Sequence, residues 1–142
     1  MSTSMSVPSL ITYVRAEREG YVEELKKLVA IPSISADPAY KEEVRRCAQA
    51  FVDRMRVAGM QRGDVLETGG NPVAYGEWLG APGKPTVLVY GHYDVQPVDP
   101  LELWKTPPFD AQVRNGNIYG RGTVDDKGQV LMHVAALEAH LR

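Results

Sequence analysis

The run Thr86-Val87-Leu88-Val89-Tyr90 passes without a break into Gly91-His92-Tyr93-Asp94-Val95-Gln96-Pro97. A continuous β-branched and aromatic run of this kind suits a strand buried on both faces of a parallel or mixed sheet, which requires helices on either side. An α/β layered domain is the expectation. In open α/β sheets ligands bind beyond the carboxyl ends of strands, so residues 91–97 are where a functional site is expected.

The rest of the chain supplies the helices. Residues 1–63 hold ten of the sixteen basic residues but only three of the thirteen glycines, so a helix-rich first part gives way to a turn-rich, acidic second part. Ile11, Val14, Val22, Leu25 and Val29 recur at helical steps and predict one helix over roughly residues 9–30. Pro32 ends it. Asp37-Pro38 reads as an N-cap with a first-turn proline. A second helix then carries Val44, Cys47, Ala48, Phe51, Val52, Met55 and Ala58 on one stripe and ends near Gly59 or Gly63. Strands are expected over 65–68, 73–78 and 86–90. A hairpin joins Gln112-Val113-Arg114 to Asn117-Ile118-Tyr119 through the type I′ signal Asn115-Gly116. A closing helix runs over 127–142.

Composition narrows the function. With 142 residues, 44% apolar and 24% charged, the chain can form one core, and a net charge of −2 offers no attraction for nucleic acid or an anionic membrane. No apolar run approaches the ~20 residues of a membrane span, and the start lacks a secretory signal. The single cysteine, Cys47, excludes an internal disulfide and a Cys-rich zinc module, reads as a small buried hydrophobe, and fits a cytoplasmic setting.

Two segments carry chemistry. In extended geometry His92 and Asp94 leave the same face, where a carboxylate on one imidazole nitrogen frees the other for a metal. A lone His-x-Asp more often reads as a histidine packed at a strand end beside an exposed Asp. The second segment is Tyr119-Gly120-Arg121-Gly122-Thr123-Val124-Asp125-Asp126-Lys127-Gly128. It fails the dinucleotide fingerprint, because Asp125 stands where the third glycine belongs, and the nucleotide P-loop, because Lys127-Gly128-Gln129 reverses the required order. What remains is a glycine turn presenting two carboxylates at a helix start, suited to a divalent cation or to capping that helix.

Together with Trp104-Lys105-Thr106-Pro107-Pro108-Phe109 and the region Glu24–Ser33, these segments resemble the zinc metallopeptidase and aminoacylase superfamily of carnosinase, glutamate carboxypeptidase, acetylornithine deacetylase and succinyl-diaminopimelate desuccinylase. The runs around His92 and Asp125 look most like the carnosinase-type dipeptidase branch. The resemblance implies the N-terminal portion of a zinc-peptidase-like catalytic domain across residues 1–142, with a mixed sheet and flanking helices, truncated after the helix that follows the Asp-Asp pair, and without a lid domain. It implies two zinc ions per complete site, with cobalt or manganese as substitutes. His92 then binds one ion, Asp94 orients His92 and is the catalytic-site residue, and Asp125 bridges both ions, with the Asp125-Asp126 peptide cis. Asp126 is the lesser ligand candidate.

In the family a metal-bridged water attacks an amide carbonyl and a Glu from a Glu-Glu pair moves the proton. Glu23-Glu24 and Glu42-Glu43 lie in the early helices, where they read as solvated faces, so the base and the remaining ligands are expected beyond Arg142. His133 and His140 are ~10 Å apart along a helix, too far to share one ion. The expectation is therefore an inactive, weakly metal-binding, self-associating 142-residue chain, part of a homodimeric hydrolase acting on dipeptides. N-acyl amino acids are the alternative substrate, and a noncatalytic binding domain the alternative role.

Overall fold

A computed structural model describes residues 6–142. Helix α1 (Val7–Ala16) starts where the Ser6 side chain accepts from the Ser9 amide at 3.4 Å, with a proline in its first turn. Helix α2 (Arg18–Val29) follows after one residue. The single helix expected over 9–30 is thus two, because Glu17 takes φ −85° and ψ 3° and breaks the regular turn. Leu10 is the buried residue of α1, and α1 packs against the closing helix, while Ile11 and Val14 stay exposed.

After Ile31-Pro32 the chain runs through Ser33 and Ile34 to Asp37, whose carboxylate accepts from the Ala39 amide at 2.9 Å and starts a 3₁₀ turn, Pro38–Tyr40. Helix α3 (Lys41–Val57) buries the expected stripe, with Cys47, Ala48 and Val52 fully enclosed. It ends in a Schellman motif: the Gly59 amide donates to Arg56 O, the Met60 amide to Met55 O, and Gly59 takes φ 99°.

Strands β1 (Arg62–Leu66) and β2 (Val73–Glu77) pair antiparallel with Gly63 opposite Gly76 and pack on α3. The thioethers of Met60 and Met55 pack directly on the bare backbone at Gly76, where an added side chain would meet their sulfurs within 2.5 Å. Strands β3 (Gln112–Arg114) and β4 (Asn117–Tyr119) form the second hairpin, with Asn115 at φ 51° and Gly116 at φ 77°, as a type I′ turn demands. Helix α4 (Lys127–Leu141) closes the described chain.

The run 86–90 departs from expectation. Among the described residues it joins no sheet, and Val87, Leu88 and Tyr90 are 81%, 90% and 88% exposed. A strand exists only through its ladder partners, and no described segment pairs with this one. The mixed sheet accordingly takes the form of two antiparallel hairpins and one parallel bridge, Ile34 to Val95.

The core sits between α2, α3 and α4. Leu28, Ile31, Cys47, Phe51 and Leu131 form one cluster, and Val52, Met55, Ala58 and Val134 a second. Burial raises the Cys47 thiol pKa, which keeps it an unreactive core group. Arg54 of α3 makes a buried ion pair with Glu138 of α4 and donates through Nε to Glu24 at 2.7 Å. Glu24 is therefore a half-buried structural partner and not part of a solvated face. Glu23 and Glu42 are exposed, and Glu43 pairs with Arg46. Among the described residues no helix is long and apolar enough to cross a membrane.

Candidate metal centre

The Ile34–Val95 bridge holds the segment after the extended run against the α2–α3 connection. Val95 N donates to Ser33 O at 2.9 Å, and the buried Ser33 hydroxyl donates to Tyr93 O at 2.7 Å. Tyr93 turns inward against Phe51, with ring centroids 6.5 Å apart, and burial lifts its phenol to about 12. With Tyr93 and Val95 facing the core, their neighbours His92 and Asp94 face the other way, as strand alternation requires.

The glycine turn brings the second segment alongside. Gly122 takes φ 90°, and a side chain at Gly128 would stand 2.1 Å from Thr123 O, so both positions depend on glycine. Between them the Asp125–Asp126 peptide is cis, as the resemblance implies. Lys127 anchors this turn from below: fully buried, its Nζ donates to Leu28 O at 2.9 Å and Ile31 O at 2.6 Å, satisfying carbonyls at the end of α2. Arg121 spans the neighbouring loop, donating from its amide to Pro108 O at 2.7 Å and from its guanidinium to Pro97 O at 3.0 Å, over the Trp104 ring.

His92, Asp94 and Asp125 meet at the surface formed by these two segments. His92 Nδ1 lies 3.0 Å from Asp94 Oδ1, and Nε2 lies 2.9 Å from Asp125 Oδ1. Asp126 Oδ2 instead accepts from the His92 amide at 3.1 Å, so its carboxylate fixes the backbone that carries the imidazole. Partial burial pulls the His92 pKa down, but the contacts with Asp94 and Asp125 outweigh it and hold the net value above the ordinary imidazole one. His133 and His140 are exposed on α4.

Imidazole nitrogen and carboxylate oxygen are donor types that zinc accepts. Two ligands at 2.0–2.1 Å in tetrahedral geometry sit ~3.3 Å apart, and His92 Nε2 and Asp125 Oδ1 stand at 2.9 Å, a few tenths of an ångström from that spacing. Among the described residues no third His, Cys, Asp or Glu completes a cluster. Sequence reasoning missed Ser33, Ser35 and Lys127. The available signals were the two serines flanking Ile34 and a lysine placed on the apolar stripe of α4 directly after a carboxylate pair.

The His-x-Asp segment thus lies opposite a glycine-flanked Asp-Asp turn, His92 facing Asp125 across 2.9 Å. Residues 88–142 match peptidase family M20/M25/M40. The chain is 34% identical to the Cys-Gly metallodipeptidase of Candida albicans over 159 aligned positions, covering 99% of this chain and 33% of that protein. It is 36% identical to the succinyl-diaminopimelate desuccinylase of Stenotrophomonas maltophilia over 115, covering 79% of this chain and 28% of that protein. The crystal structure of human carnosine dipeptidase 1 superposes with a TM-score of 0.86 at 31% identity, covering 96% of this chain and 31% of that one. The chain spans about a third of the length of the relatives it matches.

Proposed function

We propose that this chain forms part of a two-zinc hydrolase that cleaves the amide bond of dipeptides, contributing His92 and Asp125 as ligands and Asp94 as the residue that orients His92. The observation that carries the reading is the opposition of His92 Nε2 and Asp125 Oδ1 at 2.9 Å, with the other imidazole nitrogen held by Asp94. When bound, the zinc pair supplies an acidified water and a polarised carbonyl.

The chain's own residues prepare that chemistry. With Nδ1–H donated to Asp94, the Nε2 lone pair of His92 is free to ligate. Asp126 pins the His92 backbone, and Lys127 ties the Asp125 turn to the end of α2. The remaining ligands and the proton-transferring Glu come from residues outside these 142, and the 142-residue chain by itself is inactive. The exposed apolar run 86–90 favours self-association of the isolated chain, and the longer protein is a homodimer. The single buried thiol suits the cytoplasm. Cobalt or manganese would replace zinc at the same donors.

Similarity to a desuccinylase favours N-acyl amino acids as the second reading. The test is an assay of the longer protein on a dipeptide and on an acylated amino acid, with and without chelator, beside the pure 142-residue chain. Dipeptide turnover that disappears with chelator and in His92→Ala, and is missing from the short chain, supports the proposal. Turnover that survives His92→Ala refutes it.

A further inference from the structure

The Asp94 carboxylate is engaged on both oxygens. Oδ1 faces His92 Nδ1 at 3.0 Å, and Oδ2 accepts from the Ser35 hydroxyl, 59 residues away in the chain. We infer that Ser35 is a positioning residue of the metal centre: its hydroxyl sets the rotation of the Asp94 carboxylate, and through it the orientation of the His92 imidazole.

The Ser33–Ser35 segment does not need this bond to stay in place. Its backbone is already tied by Val95 N to Ser33 O, its buried Ser33 hydroxyl by Tyr93 O, and Ile34 bridges Val95. Lys127 fixes its root through Ile31 O. The Ser35 hydroxyl is the member of this set that touches a side chain of the site, and it acts on the oxygen His92 leaves free. An aspartate with one engaged oxygen can rotate about its terminal torsion, which is broad. An aspartate held on both oxygens presents Oδ1 to the imidazole in one plane. Groups that orient a metal-binding histidine in this way change metal affinity by about 10–100-fold when removed, and Ser35, one bond farther out, belongs at the lower end.

The consequence for metal rests on the proposed function, and the link to His92 does not. Zinc titration of the 142-residue chain, Ser35→Ala, Asp94→Ala and the double variant is the first measurement. Ser35→Ala is expected to weaken zinc binding about tenfold, Ser35→Thr to restore it, and Ser35→Ala to add nothing once Asp94 is Ala, since residues acting through one another are non-additive. An equal loss in both backgrounds would mean a general structural role and overturns the inference. The second measurement is the ¹⁵N shifts of the His92 ring in the metal-free chain at one fixed pH. They are expected to move in Ser35→Ala, return in Ser35→Thr, and be insensitive to Ser35→Ala in the Asp94→Ala background. If no chain binds zinc, the metal reading falls and these shifts decide the Ser35 link: unchanged shifts in Ser35→Ala sink it.

Discussion

Lys127 Nζ, at the start of α4, donates to the carbonyl oxygen of Leu28 at the end of α2, 99 residues earlier in the chain. Burial lowers its pKa against the opposing effect of the neighbouring Cys47, and the bonds to Leu28 and Ile31 are what the ammonium has in place of water. Lys127→Met removes two charge-assisted bonds and leaves Leu28 O and Ile31 O with only their backbone donors, the amides of Ile31 at 3.2 Å and Ser33 at 2.8 Å. The expected loss is about 2 kcal/mol, read by urea denaturation. Lys127→Arg, whose fork does not match the single point occupied by Nζ, is expected to recover little of it.

Glu138 gives the fold an acid-sensitive clamp between α3 and α4. Burial acts to raise its pKa, but Arg54 and Arg142 outweigh this and the net value lies below the ordinary carboxylate one. A depressed carboxyl contributes stability above its unfolded pKa and loses it as pH falls through the folded value. Unfolding free energy should therefore decline from about pH 5 downward, and Glu138→Gln should flatten that decline. At neutral pH the same variant should cost about 3 kcal/mol by leaving part of the Arg54 charge unpaired. A pH profile identical to the parent's would contradict the assignment.

Zinc should stabilise the chain through His92 and Asp125. At about a hundredfold over its dissociation constant, a ligand bound only by the folded state adds ~2.7 kcal/mol. The midpoint of thermal unfolding is expected to rise with zinc, to fall back with chelator, and not to respond in His92→Ala or Asp125→Asn. A response that persists in both variants would place the ion elsewhere.

Two glycines should respond differently to the same change. Gly128→Ala puts a methyl 2.1 Å from the backbone oxygen of Thr123, an overlap that backbone must yield to, and about 3 kcal/mol is expected. Gly116→Ala meets open space and bears only the strain of φ 77°, about 1–2 kcal/mol. Denaturant midpoints with unchanged slopes would establish both.

What was legible in the sequence was local. Asn115-Gly116 announced its hairpin because the turn depends on two residues that tolerate positive φ, and the α3 stripe announced its buried face because helical period and burial coincide there. The opposition of His92 and Asp125 was reachable from two recognisable motifs. The break at Glu17 leaves no mark, since glutamate is at home within helices. The run 86–90 has the composition of a buried strand, yet pairing is a property of two segments and the described residues supply one. Ser35 and Lys127 escaped because their partners lie 59 and 99 residues away, and nothing near a serine or a lysine declares such a partner.

The parallel bridge from Ile34 to Val95 also bears on the order of folding. It closes a loop of about sixty residues that contains α3 and the first hairpin, and closing a loop that long costs roughly 3–4 kcal/mol of chain entropy before any contact is gained. Contacts of such high sequence separation form slowly unless intervening elements shorten the effective loop. Once α3 and its hairpin have condensed, the two ends are delivered close together. The turn bearing His92 therefore docks late, onto a scaffold already made, and substitutions there should speed unfolding more than they slow folding.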